Sequence, residues 1–139
     1  MKRILITGAA GQIGVALRKG LRGSYPLVRL LDVAPLGKAE GKEEVITADI
    51  RDNAAMEKAM EGIDCVVHLA GASVESPWDK VLPLNIGGCY NTFEAARRQG
   101  VKRVIFASSN HAIGFHRRER FIDNTCLLYT SSTEPASGR

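Results

Sequence analysis

Near the amino terminus, Gly8-Ala9-Ala10-Gly11-Gln12-Ile13-Gly14 spaces three glycines at regular intervals between an apolar run and a helical pattern. Residues of this kind at a strand-to-helix turn suit the binding of a pyrophosphate. Gly8 permits the tight turn, Gly11 lets the backbone approach the anion, and Gly14 lets helix and strand pack closely. The anion would rest on the helix N-terminus, where unpaired N–H groups and the positive end of the helix dipole both favour negative charge, with Gln12 and Ile13 in the first turn. Asp32 ends the next apolar run, where a carboxylate can accept hydrogen bonds from ribose hydroxyls and would repel a 2′-phosphate. No Arg or Lys follows in Val33-Ala34-Pro35, so NAD is favoured over NADP. Asp49-Ile50 lies just beyond a third apolar run. There Asp49 could contact an adenine amine, or equally well only begin the next loop.

The elements that must hold these residues alternate. Arg3 to Thr7 predicts a strand covered on both faces, and Gln12 to Leu21 carries Ile13, Ala16, Leu17 and Leu21 at helical spacing. Leu27 to Val33 predicts the second strand and Val45 to Ala48 the third. Met56 to Met60 falls in a helix capped by Asp52 or Asn53, and Cys65 to Leu69 predicts a fourth strand. Leu82 to Gln99 predicts a long helix stopped by Gly100, and Val104 to Ser108 a fifth strand. Glu40 to Glu44 is expected as a solvated connection, and Trp78 as a packing residue in a loop. The fold class expected is α/β, a doubly wound parallel sheet of the Rossmann type with about five strands, incomplete on its C-terminal side.

Composition narrows the function classes. The chain has 139 residues, 45% hydrophobic and 24% charged, with a net charge of +4. That is an ordinary globular balance, with no basic block that would suggest a nucleic-acid stripe and no apolar run long enough for a membrane span. No secretory leader is read at Met1, and Cys65, Cys89 and Cys126 are too scattered for a disulfide framework or zinc site. Buried free thiols and a cytoplasmic setting are expected. Three histidines without paired spacing predict no metal site, and His68, mid-strand, is expected in the core.

The glycine spacing, taken with Asp49-Ile50, His68-Leu69-Ala70-Gly71, Asn85 and Phe106-Ala107-Ser108-Ser109, resembles the extended short-chain dehydrogenase/reductases of the NAD-dependent epimerase/dehydratase family. The resemblance runs from Met1 to about Ile122. Within the family, Gly71-Ala72-Ser73-Val74-Glu75 and Ser108-Ser109-Asn110-His111-Ala112-Ile113-Gly114 look like uronate dehydrogenases, which oxidise hexuronates such as galacturonate or glucuronate at C1 to aldarolactones with NAD. The resemblance implies that Leu69, Ala70 and Gly71 lie along the cofactor and that Asn85 organises the cofactor side. It implies that Ser109 is the catalytic hydroxyl, and that Ser73, Ser109, Asn110 and His111 hold the sugar acid. His111 also has a plainer reading as a loop residue. The resemblance further implies a small-molecule sugar-acid substrate and a parent protein that pairs into homo-oligomers through long helices.

The family's catalytic Tyr with a Lys four residues on is missing: Tyr129 is followed at that spacing by Thr133, and no Lys occurs after Lys102. Residues 1–122 are therefore expected to be the NAD-binding domain of a C-terminally truncated dehydrogenase, inactive alone. Residues 123–139, rich in Ser, Thr, Pro and Gly toward the end, are expected to be a poorly ordered or non-native tail. Two alternatives stay open: a sugar-nucleotide epimerase or dehydratase of the same family, and a non-catalytic NAD(H)-binding sensor or scaffold.

Overall fold

The computed structural model describes residues 2–109, 119 and 121. The chain divides into two compact units, 1–107 and 108–139, and the fold described here is that of the first. Its elements are β1 (Arg3–Thr7), α1 (Gln12–Gly20), β2 (Leu27–Asp32), β3 (Glu43–Thr47), α2 (Asn53–Met60), β4 (Cys65–His68), α3 (Trp78–Val81), a π-helical turn (Leu82–Gly87), α4 (Gly88–Arg98) and β5 (Arg103–Phe106). The five strands form one parallel sheet in the order β3-β2-β1-β4-β5. A parallel sheet needs both faces covered, which explains why β1 and β2 are nearly continuous apolar runs rather than alternating ones. Leu5 and Leu31 pack with Met56, Met60, Ala95 and Ala96 on one face, and Ile4, Ile6, Val28 and Leu30 pack with Ala9 and Leu17 on the other. Each such aliphatic side chain, fully buried, contributes about 1.5–3 kcal/mol.

Helix ends follow local chemistry. Asp52 caps α2, its carboxylate accepting the Ala55 N–H at 3.0 Å. Gly100, at φ +67°, terminates α4: its N–H donates to Arg97 O, and Val101 N–H reaches back to Ala96 O. In α1 the apolar face is narrower than the spacing suggests, because Leu17 and Leu21 pack on the sheet whereas Ile13 and Ala16 are exposed.

Two sequence expectations are corrected. Glu43 and Glu44 are not solvated connection but the first residues of β3, held there by distant arginines. Arg18 grips Glu43 in a fork, with Nε at 3.1 Å and Nη2 at 2.7 Å, and also donates to the carbonyls of Leu36 and Lys38. Arg29, buried in β2, binds Glu44 at 2.7 Å and donates to the carbonyls of Ala59 and Glu61 at the end of α2. Trp78 does not lie in a loop but opens the helical run that continues to Arg98. Pro83 in that run has no N–H to offer, and the backbone widens so that Gly88 N–H donates to Pro83 O, five residues back.

Candidate cofactor site

β1, β2 and β4 are parallel neighbours whose C-terminal ends lie side by side along one edge of the sheet, the place where such sheets gather their ligands. Gly8 adopts φ +71°, and a Cβ added to it would lie 2.7 Å from Ala70 N and 2.8 Å from Leu69 C. Only glycine fits there, on grounds of both conformation and space. At Gly14 an added Cβ would meet Gly8 O at 2.4 Å and Ala9 Cα at 2.6 Å, so the first turn of α1 is pressed onto the loop. Gly11, exposed, meets only Gly8 O at 3.2 Å and caps α1 without a side-chain bond. No acidic residue occupies the first turn of α1, which leaves the N–H groups around Gln12 and Ile13 to an incoming anion. Ile13 stands exposed at the same end.

Asp32 forms the rim. One carboxylate oxygen accepts the Ala10 N–H and the other the Ala34 N–H, each at 2.9 Å. Charge that could serve a ribose is thus also what fixes the glycine loop. The β3 end is joined to it by Ala48 N–H donating to Asp32 O at 3.1 Å.

Opposite, Leu69 N–H donates to Thr7 O at 3.2 Å, and Ala70 and Gly71 follow past Gly8. Asn85, in the π-helical turn, holds this strip: its Oδ1 accepts Ala72 N–H at 2.7 Å and its Nδ2 donates to Ala72 O at 3.1 Å. π-helical turns recur at functional sites, and this one brings an amide against the loop that follows β4. Ser73, next in the loop, is exposed. Beneath the loops lies His68, a core residue as expected. Its Nδ1 sits 2.7 Å from Thr7 Oγ1 and its ring stacks on Phe106. Burial lowers its pKa to about 4.

Two of the expected contacts are placed differently from a simple reading. The Asp49 carboxylate is engaged by Arg51 through Nε at 3.0 Å and Nη2 at 2.6 Å, and it accepts the Arg51 N–H as well. This guanidinium holds Asp49 below the usual carboxylate range. The Ile50 side chain is buried in the core against Gly88, so any ligand contact from this residue falls to its backbone. Ser109 is exposed and belongs to the second unit, while Asn110 and His111 lie outside the described residues. The domain end expected near residue 122 and the tail 123–139 lie outside them too. Sequence reasoning missed Asn91, whose side chain donates to the carbonyls of Ile50 and Arg51; an Asn inside a helix carries no signal of its partners. Among the described residues no group of His, Cys, Asp and Glu could hold a metal, and no helix is long and apolar enough to cross a membrane.

The profile of the NAD dependent epimerase/dehydratase family matches residues 4–135. The chain belongs to this family. It is 48% identical over 122 residues to a uronate dehydrogenase of Pseudomonas putida, covering 87% of this chain and 46% of that protein. It is 43% identical to an NAD-dependent glucose-6-phosphate dehydrogenase of Haloferax volcanii, covering 80% and 44%. Among solved structures, a mutant uronate dehydrogenase from Agrobacterium tumefaciens complexed with NAD matches with TM-score 0.77 and 46% identity over 81% of this chain and 42% of that one. Glucuronic acid dehydrogenase from Chromohalobacter salexigens matches with TM-score 0.87 and 44% identity, over 92% and 48%. The chain thus spans less than half the length of these relatives. NAD is the cofactor of the family, and the residues present fit it: glycine stands at positions 8, 11 and 14, where a pyrophosphate would need close approach, and the Asp32 carboxylate ends β2, where it could accept from ribose hydroxyls.

Proposed function

We propose that this chain is the NAD-binding portion of a dehydrogenase that oxidises a hexuronate at C1 to an aldarolactone. The observation that carries the reading is the cradle itself, Gly8 and Gly14 packed against Leu69–Ala70 with Asp32 at the rim, in a chain nearly half identical to uronate dehydrogenases. NAD, when bound, would supply the hydride acceptor. Gly8, Gly11 and the first turn of α1 would hold its pyrophosphate, Asp32 the adenosine ribose, and Asn85 would keep the Leu69–Ala72 strip in place along it. Ser73, Asn110 and His111 would orient the sugar acid, and the Ser109 hydroxyl would hydrogen-bond the oxygen that loses its proton.

That proton needs a base, which relatives of this family take from a Tyr with a Lys four residues on; no such pair occurs in these 139 residues. The chain alone is therefore expected to bind NAD and to turn over no uronate, since general-base catalysis is worth about 10²- to 10⁴-fold. Calorimetric titration with NAD, paired with an NADH-formation assay on galacturonate and glucuronate, tests both halves. Absence of NAD binding by the folded chain rejects the cofactor assignment. Rapid turnover by it rejects the assignment of the base to residues other than these 139.

A further inference from the structure

One helical run touches both sides of the cradle. Asn85 binds the backbone of Ala72 after β4, and further along, in α4, Asn91 Nδ2 donates to Ile50 O at 3.2 Å and to Arg51 O at 3.0 Å, after β3. Gly88 lies between the two asparagines. A Cβ there would stand 2.5 Å from Ile50 Cδ1, so helix and loop meet without room for a side chain. Consecutive carbonyls in a turn ordinarily go to water, and a single amide group that gathers two of them fixes the turn's direction. The same turn carries Asp49, whose carboxylate is oriented by the Arg51 fork and the Arg51 N–H. A carboxylate gripped on two sides keeps outward lone pairs in a defined position.

We propose that Asn91 is a positioning residue for the adenosine half of the dinucleotide: it touches no ligand and fixes the Asp49–Arg51 turn that faces the adenine. The inference rests on the reading of Gly8–Gly14 as a dinucleotide cradle. It assigns the two asparagines separate tasks, Asn85 for the loop after β4 and Asn91 for the loop after β3.

The test uses AMP and NAD as probes on the whole chain. Asn91→Asp keeps the shape but turns an acceptor toward the two carbonyls. AMP and NAD affinities are both expected to fall about tenfold, by the same factor, because the loss lies in the half they share. Asn91→Gln, which keeps an amide donor, is expected to recover most of the AMP affinity. A variant that melts earlier yet binds AMP within about twofold of the unaltered chain makes Asn91 merely structural and overturns the proposal. So does loss of NAD affinity with AMP affinity intact. If neither variant folds, ¹⁵N spectra of the unaltered chain decide: AMP is expected to shift the Asn91 side-chain amide and the Arg51 and Asp52 backbone amides, and unmoved signals overturn the proposal. An unaltered chain that binds neither probe rejects the cradle reading instead, so the two failures are distinguishable.

Discussion

The Asp32 carboxylate accepts the Ala10 N–H at 2.9 Å, so the acid at the end of β2 is a strut of the glycine loop before any ribose reaches it. Asp32→Ala is expected to weaken NAD by more than about tenfold, since hydrogen bonds to a charged group are worth roughly 1.5–3 kcal/mol each. Asp32→Asn keeps an acceptor for Ala10 and should retain the loop while losing the repulsion of a 2′-phosphate. Calorimetry with NAD and NADP checks both. Unchanged NAD affinity in Asp32→Ala rejects the ribose role.

The three glycines should fail in different ways. Gly8→Ala and Gly14→Ala place a methyl within 2.7 Å of backbone atoms and are expected to lower stability by about 1–3 kcal/mol or prevent folding. Gly11→Ala meets only one atom, at 3.2 Å, and should melt within a few degrees of the unaltered chain yet bind NAD poorly. Thermal melts beside NAD titrations separate the cases, and a Gly11→Ala chain with full affinity would show that no pyrophosphate approaches there.

Acid should destabilise the fold through His68. Burial lowers its pKa to about 4, whereas a free histidine titrates near 6.5. Above about 6.5 both states hold a neutral ring, and as the pH falls the unfolded chain takes up a proton that the folded one refuses. Stability is thus complete above that pH and declines until about 4, a loss on the order of 3 kcal/mol. Denaturant midpoints at pH 7 and pH 5 measure it. His68→Gln should flatten the slope, and an unchanged slope assigns the effect to other groups.

Glu43 is a half-buried residue whose carboxylate is answered chiefly by Arg18, with the Glu40 N–H and the more distant Arg22 adding to it; its side chain is 5% exposed and that of Arg18 15%. Arg18→Met leaves that carboxylate with only the Glu40 N–H and the weaker pull of Arg22 and also frees the Leu36 and Lys38 carbonyls, with an expected loss of about 1–3 kcal/mol. Adding Glu43→Leu should restore much of it, because two apolar side chains leave no unpaired ion. A double-mutant cycle by chemical denaturation reads the coupling, and additive losses would mean that the pair is incidental.

The fold was legible where periodicity and punctuation agree. Asp52 as a cap, Gly100 as a stop and the apolar runs of β1 and β2 depend only on near neighbours in the chain. Glu43 and Glu44 were unreadable for the opposite reason. Their partners Arg18 and Arg29 lie far away in sequence, and without them a charged pentad is indistinguishable from a solvated loop. The π-helical turn escaped because Pro83 signals a disturbance in a helix but not its geometry. At the site, Gly8, Gly14 and Asp32 announced themselves by spacing, whereas Asn91 and the burial of Ile50 became visible only once α4 was laid against the loop after β3.

The strand order sets β1 in the middle of the sheet, flanked on both sides, with Leu5 and Ile6 wholly buried. Its amides are bonded into two ladders' worth of neighbours and have no route to solvent by fraying, so they should exchange hydrogen for deuterium only when the whole domain opens, while those of β3 and β5 exchange sooner. Gly8 is the very next residue after that strand. The glycine loop proposed to receive the anion is therefore expected to be tethered to the part of this unit that opens last, so that little of it is left to be ordered when a ligand arrives.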